Sequence, residues 1–235
     1  MSLILLIESG TEVCSVGVAR DGEVIAIRES HQGRDHAGRV ATFTQELLSE
    51  LSIKAEELDA VAVSKGPGSY TGLRIGVSFA KGLCYGLNIP LVAVGSLDSL
   101  VSVAMQEYAS GRYGVIDGWE SSHLAPMIDA RRMEVYNAIF DSCGEPLCEV
   151  SAEVVDSESF KKWQGDAPFI IFGDGAAKCC EVLPWAKLID VTPSVRGLAP
   201  LAQKLFEQGT REDVAYFEPL YLKDFIATTP KKKFF

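Results

Sequence analysis

The stretch GPGSYTGLRIG, Gly66 to Gly76, places glycines directly ahead of a segment with helical spacing. That arrangement can bring backbone N–H groups to a phosphate. Neither standard template fits. A dinucleotide fingerprint reads G-x-G-x-x-G, whereas Gly66, Gly68 and Gly72 read G-x-G-x-x-x-G. A P-loop needs a lysine after its last glycine, and Leu73 stands there. Anion binding by the loop's N–H groups stays open. Two further groups could handle a metal ion or water: Glu8 and Asp129, each ending a short apolar run. GDGAAK, Gly173 to Lys178, reads either as a nucleotide-side turn or as a tight turn alone. The three histidines, His31, His36 and His123, form neither H-x-x-x-H nor H-E-x-x-H, and no G-x-S-x-G elbow is present.

The elements that would position these groups follow from periodicity. Leu3–Glu8 predicts a buried strand; it has no basic residues before it and meets an acid at once, unlike a signal peptide. Asp21-Gly22 between two alternating runs predicts a hairpin of 13–20 and 23–29. A helix is expected over 35–51, with Val40, Phe43, Leu47 and Leu51 on one face. A strand at 58–64, a helix at 71–86, a strand at 90–94 and a helix at 96–108 complete a β-β-β-α-β-α-β-α order. A softer segment, 110–123, leads to a weaker echo of the same plan. That echo has a strand at 124–129, a hairpin of 133–140 and 146–150, a helix at 157–163, a strand at 169–172 and a helix at 176–183. A closing helix is expected at 198–208. Glu8 and Asp129 then end equivalent strands. The tail 228–235, with Lys231 to Lys233, reads as a solvated terminus.

The 71–86 helix is apolar on most sides, with Arg74, Ser78, Lys81 and Tyr85 on one narrow stripe. Small residues recur along it every four positions: Gly72, Gly76, Ala80 and Ser78, Gly82, Gly86. A glycine inside a helix costs about 1 kcal/mol against alanine, and close approach of another backbone can offset that. The preceding helix has its own small edge, Ala37, Ala41 and Thr44. The close neighbour is either the protein's own sheet or a partner's helices; the preferred expectation gives a partner part of the contact.

A duplicated unit of three strands, a helix, a strand and a helix is the plan of an α/β, actin-like (ribonuclease H-like) fold. The expected lobes are 1–109 and 110–235, each with a mixed sheet and helices, the closing helix packing back on the first. GPGSYTGLRIGVSFAKGL, IPLVAVGSL, IDARRMEVY and PLYLK, in that order, resemble the TsaB (YeaZ) family over nearly the whole chain. The resemblance implies a non-catalytic subunit needed for N6-threonylcarbamoyladenosine (t6A) on tRNA. Its partner would be the related transferase TsaD. A TsaE-like ATPase would join them and TsaC would supply threonylcarbamoyl-adenylate. Such proteins pair through their first two helices, with TsaD or with themselves. The implied interface is His36, Ala37, Arg39, Ala41, Phe43, Gly72, Arg74, Gly76, Val77, Ala80 and Lys81. TsaD-like proteins carry H-x-E-G-H where this chain has Ser96-Leu97-Asp98-Ser99-Leu100, so the metal-binding imidazoles are replaced by Ser96 and Leu100.

Two rival readings remain beside this one. An ATPase or sugar-kinase-like phosphotransferase would use Glu8 and Asp129 with Mg²⁺, and a vestigial nucleotide site would sit at Glu8, Asp129, Gly173 and Gly175. Glu8 departs from the Asp usual in actin-like ATPases and in most of the family, a shift of about 1.5 Å in the carboxylate. A metallopeptidase lacks its ligands here. No cofactor is expected beyond weak or interface binding of ATP or ADP. A net charge of −10 on 235 residues argues against unaided nucleic-acid binding, so tRNA would be reached only through the complex. Six cysteines without disulfide or zinc spacing fit a cytoplasmic protein. No apolar run approaches the ~20 residues of a membrane helix.

Overall fold

The structure is a computed structural model describing residues 1–32 and 35–223. The expectation for the tail 228–235 lies outside the described residues. The first lobe contains β1 (Leu3–Glu8), β2 (Cys14–Arg20), β3 (Glu23–Ser30), α1 (His36–Glu50), β4 (Ala60–Ser64), α2 (Tyr70–Leu87), β5 (Leu91–Val94) and α3 (Ser96–Ala109). The second contains β6 (His123–Asp129), β7 (Glu134–Asn137), β8 (Ser151–Val154), β9 (Phe169–Phe172) and β10 (Lys187–Leu188), followed by α4 (Val195–Glu207). Among the described residues no helix is long and apolar enough to cross a membrane.

The sheets run β3-β2-β1-β4-β5 and β8-β7-β6-β9-β10. In each, the opening strand pairs antiparallel with the second and parallel with the fourth. The two orders superimpose element for element, which is the duplication of the actin-like fold. Glu8 and Asp129 are the last residues of β1 and β6, as the weak repeat implied.

Strand register follows from composition. Every residue of β4, β5 and β9 is buried, as continuous apolar strands between two layers must be. Asp21 and Gly22 both take positive φ (50° and 83°), the requirement of the two-residue turn that closes β2 on β3. One face of the first sheet packs α1 and α2 through Leu5, Ile7, Val40, Leu47, Val77 and Ala80. The other face packs α4 through Ile4, Leu6, Val92, Val195 and Leu198. Helix α3 lies on the second sheet, with Leu97, Leu100 and Val101 against Leu124, Ile170 and Phe172.

Helices α3 and α4 meet at the seam between lobes, where Gly197 lies against the Ser99 backbone too closely for any side chain. Pro200 within α4 has no N–H to offer the Arg196 carbonyl, and Gln106 Nε2 donates to that oxygen instead, at 3.0 Å. Glu107, buried on α3, accepts from the Arg112 guanidinium and from the Tyr113 hydroxyl; Arg196 approaches to 3.6 Å. Trp119, in the segment expected as a soft connection, is instead buried, stacked on Tyr108 at 3.8 Å between centroids.

The second lobe departs from the expected helices in two places. Over 157–163 only Lys161–Trp163 forms a single tight turn, because Phe160 sits at φ 61° and interrupts any longer helix. Over 176–183 the chain makes successive i→i+3 turns, Cys179 N–H to Ala176 C=O and Val182 N–H to Cys179 C=O. These place Ala176, Cys179 and Leu183 in the core without a stable helix. The second hairpin strand also lies further along than 146–150. Within 146–150 only Pro146 makes a bridge, an isolated one to Phe140, and full pairing begins at Ser151. An Asp141-centred turn with Gly144 at φ 84° takes up the intervening chain.

Candidate functional site

A cleft of about 590 Å³ opens between the lobes. Its walls are the β1–β2 turn (Gly10 to Glu12), the head of α2 (Gly68 to Gly72), and the Asp129–Arg131 corner after β6. Asp174 and the segment Leu220–Lys223 complete the wall. That last segment crosses from one lobe to the other. Leu220 N–H donates to Lys65 C=O at 2.7 Å, and Lys223 Nζ pairs with Glu134 of β7.

Glu8 does not face the cleft. It is 1% exposed, and its Oε1 accepts from Gly10 N–H at 2.8 Å and Ser64 Oγ at 2.9 Å. Burial pushes its carboxyl above the usual range; the bonds from Gly10, Ser64 and Ser9 pull the other way, and Asp174 adds repulsion. Asp129 does reach the cleft, but it is ion-paired with Lys178 and accepts from Arg131 N–H at 3.1 Å. Asp174 reaches solvent at the lip yet loses water on the protein side, which raises its carboxyl. Asp129 N–H, donating to it at 3.0 Å, lowers it, and the charges of Asp129 and Glu12 raise it again. Gly173 and Gly175 serve the chain's own path. Gly173 has φ 99°, and a Cβ on Gly175 would stand 2.9 Å from Asp129 N, so this is a tight turn against β6.

The loop Gly66–Gly72 turns its glycines inward. Side chains at Gly68, Gly72 or Gly76 would collide with Gly10 C=O, Ser9 C=O and Ser9 Oγ respectively. Three of its N–H groups are already paired. Gly66 donates to Ser96 Oγ at 3.2 Å, Ser69 to Gly10 C=O at 2.6 Å and Gly72 to the Ser69 cap at 3.3 Å. The α2 head is therefore clamped to the β1–β2 turn of its own lobe.

That clamp corrects part of the expected interface. Gly72, Gly76, Val77 and Ala80 are buried against the protein's own first sheet. His36 is buried too, its Nε2 2.9 Å from Thr11 C=O, because α1 begins there and turns its first ring back onto the β1–β2 turn. Lys81 spends its ammonium on Ala215 C=O and Phe217 C=O, at 3.2 and 2.9 Å. Phe43 and Arg39 are half-buried. Ala37, Ala41 and Arg74 are exposed. With them on the outward face of the α1–α2 layer stand Ser78, Gly82, Tyr85 and Gly86, which the expected residue set omitted. A Cβ at Gly82 or Gly86 would meet nothing within 4 Å, and Tyr85 is 85% exposed. The signal for this outer row was the second small-residue series, Ser78, Gly82 and Gly86.

Ser96 and Leu100, where the resembling transferase places its histidines, are built into packing. Ser96 Oγ takes the Gly66 N–H, and Leu100 is 1% exposed in the α3 core. Among the described residues no group of three His, Cys, Asp or Glu side chains is placed to hold a metal.

The family model "TsaD: tRNA N6-adenosine threonylcarbamoyltransferase" matches residues 23–167, more than half the chain. The chain is 28% identical to the Escherichia coli (strain K12) tRNA threonylcarbamoyladenosine biosynthesis protein TsaB, covering 95% of this chain and 96% of that one. It is 35% identical to the protein of the same name from Bacillus subtilis (strain 168), covering 58% of this chain and about half (54%) of the relative. Among solved structures it resembles YeaZ from Pseudomonas aeruginosa, at TM-score 0.76 and 25% identity, covering 94% of this chain and all of that one. The chain belongs to this family, on its TsaB (YeaZ) side, and that membership supports a role in t6A modification of tRNA.

Proposed function

We propose that the protein is the non-catalytic subunit of a t6A-forming assembly, docking on a TsaD-type transferase through the outward face of α1 and α2 and holding that enzyme in a productive state. The observation that carries this reading is the low relief of that face. Ala37 and Ala41 on α1, and Ser78, Gly82 and Gly86 on α2, leave backbone accessible, and Tyr85 stands out beside them. Small side chains allow short interaxial distances, and an isolated exposed tyrosine is a common interface anchor. Docking that restricts domain motion in the partner acts as a population shift, and needs no chemistry from this chain.

The reading is supported by the packing of Ser96 and Leu100 and by the inward bonding of Glu8, which leaves the first lobe's terminal carboxylate unavailable to a nucleotide. In this scheme the lobe 1–109 carries the docking helices. The protein pairs with itself when the transferase is absent, and a TsaE-like ATPase joins the assembly. The tRNA is reached only through the complex, in the cytoplasm. The chain contributes no cofactor of its own; ATP or ADP would be held weakly or at the joint with the partner.

Co-purification with the host's own TsaD-type protein tests this. The mixture should run as one complex whose mass is the sum of both chains, and Gly82→Arg should abolish it without lowering the unfolding temperature. A wild-type chain that ignores the transferase, or one that hydrolyses ATP unaided and loses that turnover in Asp129→Asn, would contradict it.

A further inference from the structure

Apart from the interlobe cleft, the second lobe holds a separate cavity of about 420 Å³, bounded by β7, β8 and the turn through Phe160 and Trp163. Its size falls within the usual range for small-ligand sites, about 300–1,000 Å³. Asn137 lies on its wall, 2% exposed, and its Nδ2 has no hydrogen-bond partner among the described residues. A buried amide donor left unpaired is costly and calls for an explanation.

The surroundings say what would satisfy it. Cross-strand partners share a face, so Ser151, opposite Asn137, and Glu153, opposite Val135, stand on the same side of the sheet as the amide. Both line the cavity. Ile139, two residues past the end of β7, adds an apolar wall with Phe160 and Trp163. Trp163 is backed by the His123 ring at 4.8 Å. Lys161 and Lys162 also line the cavity: Lys161 is ion-paired with Glu158, whereas Lys162 has no acidic partner among the described residues and holds its ammonium 5.1 Å from the Trp163 ring centroid. The lining thus combines a buried donor, a cation with no carboxylate partner among the described residues (Lys162), the carboxylates of Glu149 and Glu153 beside the Lys161–Glu158 pair, and an apolar wall.

We infer that this cavity binds a free α-amino acid with an apolar side chain: the carboxylate meets Asn137 Nδ2 and Lys162, the ammonium meets Glu153, and the side chain lies against Ile139, Phe160 and Trp163. A ligand of both charges is favoured over a simple acid or amine because the lining carries both glutamate carboxylates and a lysine ammonium without an acidic partner among the described residues.

The test is a titration of the full chain with L-leucine, read at the Trp163 indole N–H by NMR. Isocaproate, which lacks the ammonium, and isopentylamine, which lacks the carboxylate, serve as comparators. L-leucine should shift the indole resonance saturably, and each comparator should bind about tenfold more weakly or worse, the scale of one lost charge-assisted contact. Asn137→Leu removes the orphan donor. It should weaken leucine binding by about tenfold while leaving the unfolding temperature undiminished. Lys162→Gln, at an exposed position that does not threaten the fold, should weaken leucine binding several-fold. An indole resonance unmoved by millimolar leucine, equal binding of all three compounds, or leucine binding unchanged in Lys162→Gln would each overturn the inference.

Discussion

Ser9 is pressed onto the Gly72 backbone: Ser9 Oγ donates to the Gly72 carbonyl oxygen at 2.9 Å, and a Cβ on Gly72 would collide with the Ser9 carbonyl. The glycine series in α2 therefore has two unlike halves, one pressed onto the β1–β2 turn and one open to solvent. Gly72→Ala should lose about 1–3 kcal/mol through overpacking. Gly82→Ala, with open space around it, should gain up to about 1 kcal/mol from helix propensity. Urea unfolding of the two variants checks the contrast; effects of the same sign would show that the two faces are not so divided.

Glu8 gives a pH dependence opposite to that of a salt-bridged acid. Its folded-state carboxyl is raised by burial, so between its unfolded and folded values the native state holds more protons than the unfolded chain. Stability contributed by the protonated form is present below the unfolded value and is lost as pH rises through the folded one. Glu8→Gln keeps an Oε1 for Gly10 N–H and Ser64 Oγ but carries no charge. The variant should unfold at a higher temperature than wild type near neutral pH, with the gap closing toward about pH 4, the usual unfolded glutamate range. Calorimetric scans across that window measure it, and a gap independent of pH would remove Glu8 as its source.

Glu107 ties the two lobes at the α3–α4 seam. Its carboxylate is 7% exposed and engages Arg112, Tyr113 and Arg196, and the buried position together with Glu107 holds the Tyr113 hydroxyl's pKa above its usual value. The arginines are nearly half exposed, so water screens part of the interaction. Glu107→Ala should cost about 1–3 kcal/mol, and Glu107→Gln less, since it still offers Tyr113 an acceptor. Equilibrium unfolding of both variants gives the comparison.

Much of the first lobe was legible because its signals are local. Asp21-Gly22 dictates a turn, the Val40–Phe43–Leu47–Leu51 spacing dictates a helix face, and unbroken apolar runs mark β4 and β5. The second lobe was less so. Ala176, Cys179 and Leu183 show helical spacing, yet consecutive tight turns satisfy the same spacing, and a segment that short gains little from helix nucleation. Phe160 at positive φ carries no signature that distinguishes it from a helical phenylalanine. At the site, sequence spacing identified small-residue stripes on α2 but could not tell which faced inward. That depends on where β1's turn crosses the helix, a long-range contact between Ser9 and Gly76 that no local pattern encodes. Likewise His36 is read from its position as helix surface, and only the fold brings Thr11 C=O to its ring.

The inward half of the stripe also rules out one tempting probe. Ala80 is fully buried, so arginine there would unfold the lobe and say nothing about pairing. Ser78 and Gly82 lie on the open side and do not have that defect. The most direct measurement is the mass of the species formed when the purified chain is mixed with the host's TsaD-type transferase, taken in parallel for wild type, Ser78→Arg and Gly82→Arg. Docking through the outer face of α1 and α2 requires a mixed complex for wild type and separate chains for both variants, each variant folded by circular dichroism. A mixed complex that forms equally well with both arginines in place would contradict it.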